Sequence, residues 1–147
     1  MIAWLKIWFS NLVFALKCRA GFRLLEYIGS VTGMVKALEM AEDGDCCFDL
    51  VIDGPPSPLL AYKTSGATHI CETLHCEIVP ADRARLSAEI AKLKIGVRVR
   101  VSGRRAWDGC HHGKGLLFDA LMVLLGAAPT LDGWIECHPC TSLEVLQ

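Results

Sequence analysis

The chain has 147 residues, a formal net charge of −1, 52% hydrophobic residues and a mean hydropathy of +0.37. This length suffices for the core of one ordinary domain, and the composition excludes a disordered or collagen-like protein. Without a positive excess, the chain as a whole does not resemble a general nucleic-acid binder. The eight cysteines leave three interpretations open, namely core residues, metal ligands and disulfides.

The N-terminus is the most apolar part of the chain. Drawn as a helix, residues 1–17 have one broad apolar face, with Lys6, Ser10 and Lys17 outside it. We therefore predict an apolar or amphipathic helix over residues 1–26. It is interpreted as a docked helix, as a membrane-facing anchor or degenerate export signal, or as a non-native start of the reading frame. A membrane surface or a partner protein is the expected contact of residues 1–17.

From residue 27 onward the hydrophobic pattern changes to the period of β-strands. Apolar and polar residues alternate in five segments, which begin near residues 31, 46, 74, 97 and 134. Residues 54–68 are rich in Pro, Ser, Thr and Gly and are predicted to be a loop. After Pro80, the helical spacing of Leu86 and Ile90 predicts a helix between the third and fourth strands. An apolar insertion over residues 113–132 is predicted to form a buried helix or lid before the fifth strand.

This order of elements predicts a mainly β fold, a five-stranded OB-fold-like Greek-key barrel over residues 27–147. Four motifs occur in the chain in the order GDCCFDLVID, LHCEIVPAD, VRVRVSGRRAWD and WIECHPCTSL. Together they resemble a family of small, uncharacterised bacterial OB-fold proteins with a W-x-EIHPV-type C-terminal motif. The resemblance spans residues 28–145 and implies the same barrel. The chain departs from that family in the insertion over residues 113–132, and in having Cys137 and Cys140 where the family has Ile and Val.

The strand pattern favours a core location for most of the cysteines. Cys46, Cys76 and Cys137 alternate in phase with the aliphatic residues of their strands, as small buried hydrophobes do. Cys137 and Cys140 are expected on opposite faces of one regular strand, which argues against a shared zinc ion. A mostly reduced set of thiols favours a cytoplasmic location, whereas export would favour disulfides; membrane association or export remains the alternative.

Basic residues are concentrated between residues 83 and 105, where eight lysines and arginines accompany one acidic residue. Basic groups beside aromatic rings suit single-stranded nucleic acid, because phosphate attraction combines with base stacking. The first hypothesis is therefore a non-enzymatic OB-fold binding module with single-stranded nucleic acid as its candidate ligand. The alternative is a solvated basic edge without a ligand. The candidate ligand-binding residues are Arg98, Arg100, Arg104, Arg105, Trp107 and Trp134.

A second group of polar residues follows from strand parity combined with the OB-fold. The third and fifth strands of such a barrel are neighbours, so we expect one outer face to carry His75, Glu77, Glu136 and His138. Two imidazoles and two carboxylates could hold a divalent metal such as zinc or position a water molecule. The alternative is cross-strand ion pairing that fixes the register, with no cofactor.

Two further hypotheses therefore stand beside the first. One is a membrane-associated or exported accessory domain, and the other is a metal-binding protein or small metal-dependent enzyme. The sequence assigns no residue a catalytic role and leaves the oligomeric state open.

Overall fold

The computed structural model describes residues 22–41, 44–55, 58–64, 67–108 and 134–146. Leu24–Ala106 and Ile135–Gln147 form one unit, which holds the elements discussed below. The other unit comprises Met1–Arg23 and Trp107–Trp134, and most of it is outside the described ranges. Residues 1–21 of the helix predicted over residues 1–26 therefore lie outside the described residues. The insertion predicted over residues 113–132 lies outside them as well.

Along the described ranges the secondary structure is mainly β, as predicted, with one α-helix and a short 3-10 helix. In chain order the elements are β1 (Phe22–Met40), β2 (Cys46–Ile52), the 3-10 helix (Pro58–Leu60), β3 (Ala61–Thr64), β4 (Ala67–Ile70), β5 (Leu74–Ile78), α1 (Pro80–Ile90), β6 (Arg98–Asp108) and β7 (Trp134–Leu146). The strand β1 begins at Phe22, so residues 22–26, which were assigned to the N-terminal helix, belong to a strand instead.

The five longest strands form one sheet that closes on itself in the order β1-β2-β5-β7-β6. Antiparallel pairing joins β1 to β2 and β2 to β5, whereas β5 and β7 run parallel. In the β5–β7 register, His75 lies opposite Glu136 and Cys76 opposite Cys137. The strands β5 and β7 are the third and fifth strands of the sequence-based prediction. Their pairing is the contact that was expected to bring the four candidate metal ligands together.

A small hairpin occupies part of the segment that was predicted to be a loop. The strands β3 and β4 pair antiparallel, with Tyr62 opposite His69 and the two rings stacked at a centroid distance of 5.1 Å. The loop prediction over residues 54–68 is wrong for these strands, because runs of 4 residues each are too short to show a clear alternation of apolar and polar residues. The guanidinium of Arg105 donates to the carbonyl oxygens of Leu59 at 2.8 Å and Ala61 at 2.5 Å.

We expect Arg105→Met to lower the free energy of unfolding by about 2 kcal/mol, since it removes charged donors from two partly buried carbonyls. Urea denaturation would measure the loss. Arg104→Met is the matched control, because Arg104 is the exposed neighbour on the same strand and a surface substitution changes stability little. Equal losses in the two variants would contradict a stabilising role for the hydrogen bonds from Arg105 to Leu59 and Ala61.

The cysteines contribute to the core as predicted. Cys46 is 1% exposed, Cys76, Cys137 and Cys140 are fully buried, and all six described cysteines are free thiols. The expectation that Cys137 and Cys140 face opposite sides is wrong, because both are fully buried and their side chains hydrogen-bond to each other. The inward alternation of β7 shifts by one residue around Pro139, which has no N–H to donate to a sheet ladder.

The helix α1 connects β5 to β6. It begins at Pro80, and proline suits the first helical position because it lacks the amide hydrogen that would have no partner there. Leu86 is the helix residue buried against the rest of the unit, and the Glu89 carboxylate accepts a hydrogen bond from the Val145 amide at 2.8 Å. Among the described residues, no helix has the length and apolar character needed to cross a membrane.

Candidate functional site

Three neighbouring strands bring polar side chains together on the face opposite the core. Successive side chains of a strand point to opposite faces, so the partly exposed His75 and Glu77 alternate with the buried Leu74, Cys76 and Ile78. The registers then place Asp49 and Cys47 of β2 beside β5, and Glu136 of β7 on its other side. We call this set the histidine–carboxylate cluster; it consists of Cys47, Asp49, His75, Glu77, Glu136 and His138.

Glu77 is at the centre of the cluster, and its two carboxylate oxygens face different histidines. Its Oε1 atom lies 3.3 Å from Nε2 of His75, and its Oε2 atom contacts Nδ1 of His138. The same Nδ1 atom is 3.8 Å from Oε2 of Glu136. The structure therefore brings together all four residues that the sequence singled out as candidate metal ligands.

Within the described residues, two groups of three side chains bring potential metal-ligand atoms close together. One group is Glu77, Glu136 and His138, and the other is Cys47, His75 and Glu77. In each group the ligand atoms lie within 4.8 Å of one another, so that small side-chain movements would bring all of them to bonding distance of one ion. Glu77 belongs to both groups.

The cluster is largely shielded from solvent. Glu136 is 1% exposed, and the side chains of His75 and Glu77 are 19% and 14% exposed. Burial of this degree raises the energetic cost of every charge that is not compensated locally. The charges in the cluster must therefore be balanced by one another or by a bound ion.

Mutual contacts determine the protonation of the cluster. Burial alone would lower the pKa of His75, but hydrogen bonds to Cys47, Glu77 and Asp49 outweigh burial and raise that pKa to about 11. Burial would likewise raise the pKa of Glu77, yet its hydrogen bonds to His138 and His75 hold that pKa well below the usual range. The pKa of His138 is raised despite burial, chiefly by its hydrogen bond to Glu77.

Two members of the cluster were not singled out as candidate ligands from the sequence. Cys47 and Asp49 alternate with the inward-facing Cys46, Phe48 and Leu50 of β2, so parity alone placed them on an outer face. What the sequence lacked was the register, which sets Asp49 opposite His75 and Cys47 opposite Glu77. The Nδ1 atom of His75 lies 2.8 Å from Oδ1 of Asp49, and burial raises the pKa of the Cys47 thiol.

Three of the four arginines proposed from the sequence as nucleic-acid contacts have protein partners. Arg98 contacts Asp53 at 2.5 Å and Arg100 contacts Glu144 at 2.7 Å. Arg105 contacts Glu26 at 2.8 Å in addition to its two carbonyl partners. Arg104 is exposed, whereas Trp107 and Trp134 are half-buried. The positive charge counted from the sequence is thus largely compensated within the described structure.

Two comparisons with known proteins found no relative of the chain. No protein-family model matches the sequence, and no curated protein matches it.

Proposed function

We propose that this chain is an OB-fold-like binding module that holds a divalent metal ion of the zinc class in its histidine–carboxylate cluster. The OB-fold part of the proposal is supported by the strand order β1-β2-β5-β7-β6, the parallel pair β5–β7, and the position of α1 between β5 and β6. These features correspond to a five-stranded Greek-key barrel in which the third and fifth long strands are neighbours.

The observation that carries the metal proposal is the convergence of Glu77, Glu136 and His138, whose ligand atoms lie within 4.8 Å of one another. One imidazole and two carboxylates are ligands that zinc accepts, and three protein ligands leave a position for water or another ligand. All three residues lie on the paired strands β5 and β7. A rigid sheet holds ligand positions more accurately than loops do.

The charge of the cluster also favours a cation. It contains the three carboxyl groups of Asp49, Glu77 and Glu136, and at most two positive charges if both histidines are protonated. With all three carboxyl groups ionised, the cluster retains an excess of negative charge in a site where Glu136 is 1% exposed. A divalent ion compensates that charge directly, whereas ion pairing among the residues alone leaves part of it unbalanced.

We expect the chelator-treated full-length protein to bind Zn²⁺ in a calorimetric titration. Glu136→Gln and His138→Ala should each weaken binding by more than about 100-fold, since each removes a metal ligand. Glu72→Gln is the control, because the Glu72 side chain is 90% exposed and pairs with Lys36, away from the cluster. Circular dichroism would establish that each variant is folded. Wild-type affinity in folded Glu136→Gln, or no uptake by the wild-type protein, would overturn the proposal.

Single-stranded nucleic acid has less support as the ligand. Of the four arginines on which the hypothesis relies, Arg98, Arg100 and Arg105 are engaged by carboxylates or carbonyl oxygens, whereas Arg104 is exposed. Phosphate binding would have to replace those contacts, and their loss would offset part of the electrostatic gain.

A further inference from the structure

We infer that the histidine–carboxylate cluster is a dinuclear site, in which the Glu77 carboxylate bridges two divalent ions. The inference rests on the proposed function and extends it by a second ion. The first ion is held by Glu77, Glu136 and His138, and the second by Cys47, His75 and Glu77. The carboxylate is shared because each of its oxygens faces a different ligand group.

The contacts of Glu77 show how the bridge is built. Oε1 faces Nε2 of His75 at 3.3 Å, and Oε2 contacts Nδ1 of His138. An ion that replaced either of these contacts would coordinate one carboxylate oxygen and one imidazole nitrogen. In two-metal sites the ions lie about 3.5–4 Å apart, a separation that a bridging carboxylate can span.

His75 is oriented for the second ion by Asp49. Its Nδ1 atom hydrogen-bonds to Oδ1 of Asp49 at 2.8 Å, and its Nε2 atom points toward Glu77. A carboxylate that holds the other ring nitrogen of a histidine is the usual support of a metal-ligating imidazole, because it fixes the tautomer and the orientation of the ring. Asp49 therefore acts as a positioning residue, and His75 presents Nε2 as the ligand.

Cys47 completes the ligand set of the second ion. It lies opposite Glu77 in the β2–β5 register and hydrogen-bonds to His75. On binding, the Cys47 thiol and the two protonated imidazoles each release a proton to the solvent, so that Cys47 coordinates as a thiolate and both imidazoles coordinate in their neutral form. The negative charges of Cys47, Asp49, Glu77 and Glu136 then equal the positive charge of two divalent ions.

The ligand types indicate which ions fit. A thiolate with an imidazole and a carboxylate suits Zn²⁺ or Co²⁺ better than Mg²⁺ or Ca²⁺, which prefer ligand sets made of oxygen atoms. Co²⁺ is also a useful probe, because its bond to a thiolate produces a charge-transfer absorption in the near ultraviolet.

We expect the full-length protein to bind two Co²⁺ or Zn²⁺ ions per chain and, with Co²⁺, to show the thiolate charge-transfer band. Cys47→Ser should reduce the stoichiometry to one ion and abolish the band. Cys71→Ser is the matched control, because Cys71 is half-buried and lies outside the cluster; it should keep both ions and the band. His75→Asn provides a second test of the same ion if Cys47→Ser does not fold.

The possible outcomes separate this inference from the proposed function. One ion per chain that is lost in Glu136→Gln but unchanged in Cys47→Ser would overturn the dinuclear site and leave the mononuclear site standing. No ion in the wild-type protein would overturn both. A charge-transfer band that survives in Cys47→Ser and disappears in Cys71→Ser would assign the thiolate to another site and overturn the inference.

Discussion

Gly103→Ala is expected to lower the free energy of unfolding by about 3 kcal/mol or more, because the added methyl group has no space. A Cβ atom at position 103 would lie 2.4 Å from the carbonyl oxygen of Pro139, 2.6 Å from Sγ of Cys137 and 2.9 Å from Cα of Cys140. Two of these three atoms belong to the backbone of β7, so relief requires the two strands to separate. A rotamer change of one side chain is not enough.

The measurement is chemical denaturation of Gly103→Ala beside Gly29→Ala. Gly29 also lies in a strand, but a Cβ atom there meets nothing within 4 Å, so its replacement should change stability by less than about 0.5 kcal/mol. A similar small effect at both positions would show that β6 and β7 tolerate a wider separation than the structure has.

The close approach at Gly103 also concerns the candidate site. The atoms nearest to this glycine belong to Cys137, Pro139 and Cys140, which flank His138 in the sequence. The packing of β6 against this part of β7 therefore helps to fix the backbone that carries His138. A substitution at Gly103 that left the protein folded should weaken metal binding as well as stability.

Strand parity was sufficient to predict the faces of β2, β5 and the part of β7 before Pro139, and so the core positions of Cys46, Cys76 and Cys137. Cys46 and Cys76 alternate with polar residues and are buried as expected. The same reasoning failed for Cys140, because parity assumes a regular strand and the alternation of β7 shifts around Pro139. A local pattern does not report such a shift, since the shift depends on how the neighbouring strand packs.

The composition of the site was only partly predictable, because register is a long-range property. Glu77 and His138 could be placed together from parity and the assumed OB-fold order. The addition of Asp49 and Cys47 required the exact β2–β5 register, and a slip by one residue would have turned them to the other face. The ion pairs of Arg98 and Arg100 join residues 45 and 44 positions apart, which a count of local charge does not reveal.

Glu77→Gln is expected to lower the free energy of unfolding of the metal-free protein by about 3 kcal/mol near neutral pH. The wild-type carboxylate contacts both His75 and His138. An amide of the same size keeps the volume but removes the charge, so the protonated imidazoles lose their common partner in a buried site. Glu144→Gln is the control; its exposed pair with Arg100 should contribute less than about 1 kcal/mol.

The pH dependence of stability provides a second readout of the same substitution. The pKa of His75, raised to about 11, lies above the value of about 6.5 expected in the unfolded chain. The folded protein therefore retains a proton that the unfolded chain releases. The stability that the protonated His75 contributes is fully present below about pH 6.5. It is lost as the pH rises toward 11, by up to about 1.4 kcal/mol per pH unit.

Denaturation of the metal-free protein at about pH 6.5 and about pH 7.5 should therefore show falling stability, in a range in which free thiols with a pKa of about 8.5 remain largely protonated. The raised pKa of His138 acts in the same direction. In Glu77→Gln the decrease in the free energy of unfolding with pH should become markedly smaller, because the carboxylate that favours both protonated histidines is absent. The decrease should not vanish, since Asp49 and Glu136 remain. An unchanged slope in Glu77→Gln would show that Glu77 does not control the protonation of the cluster.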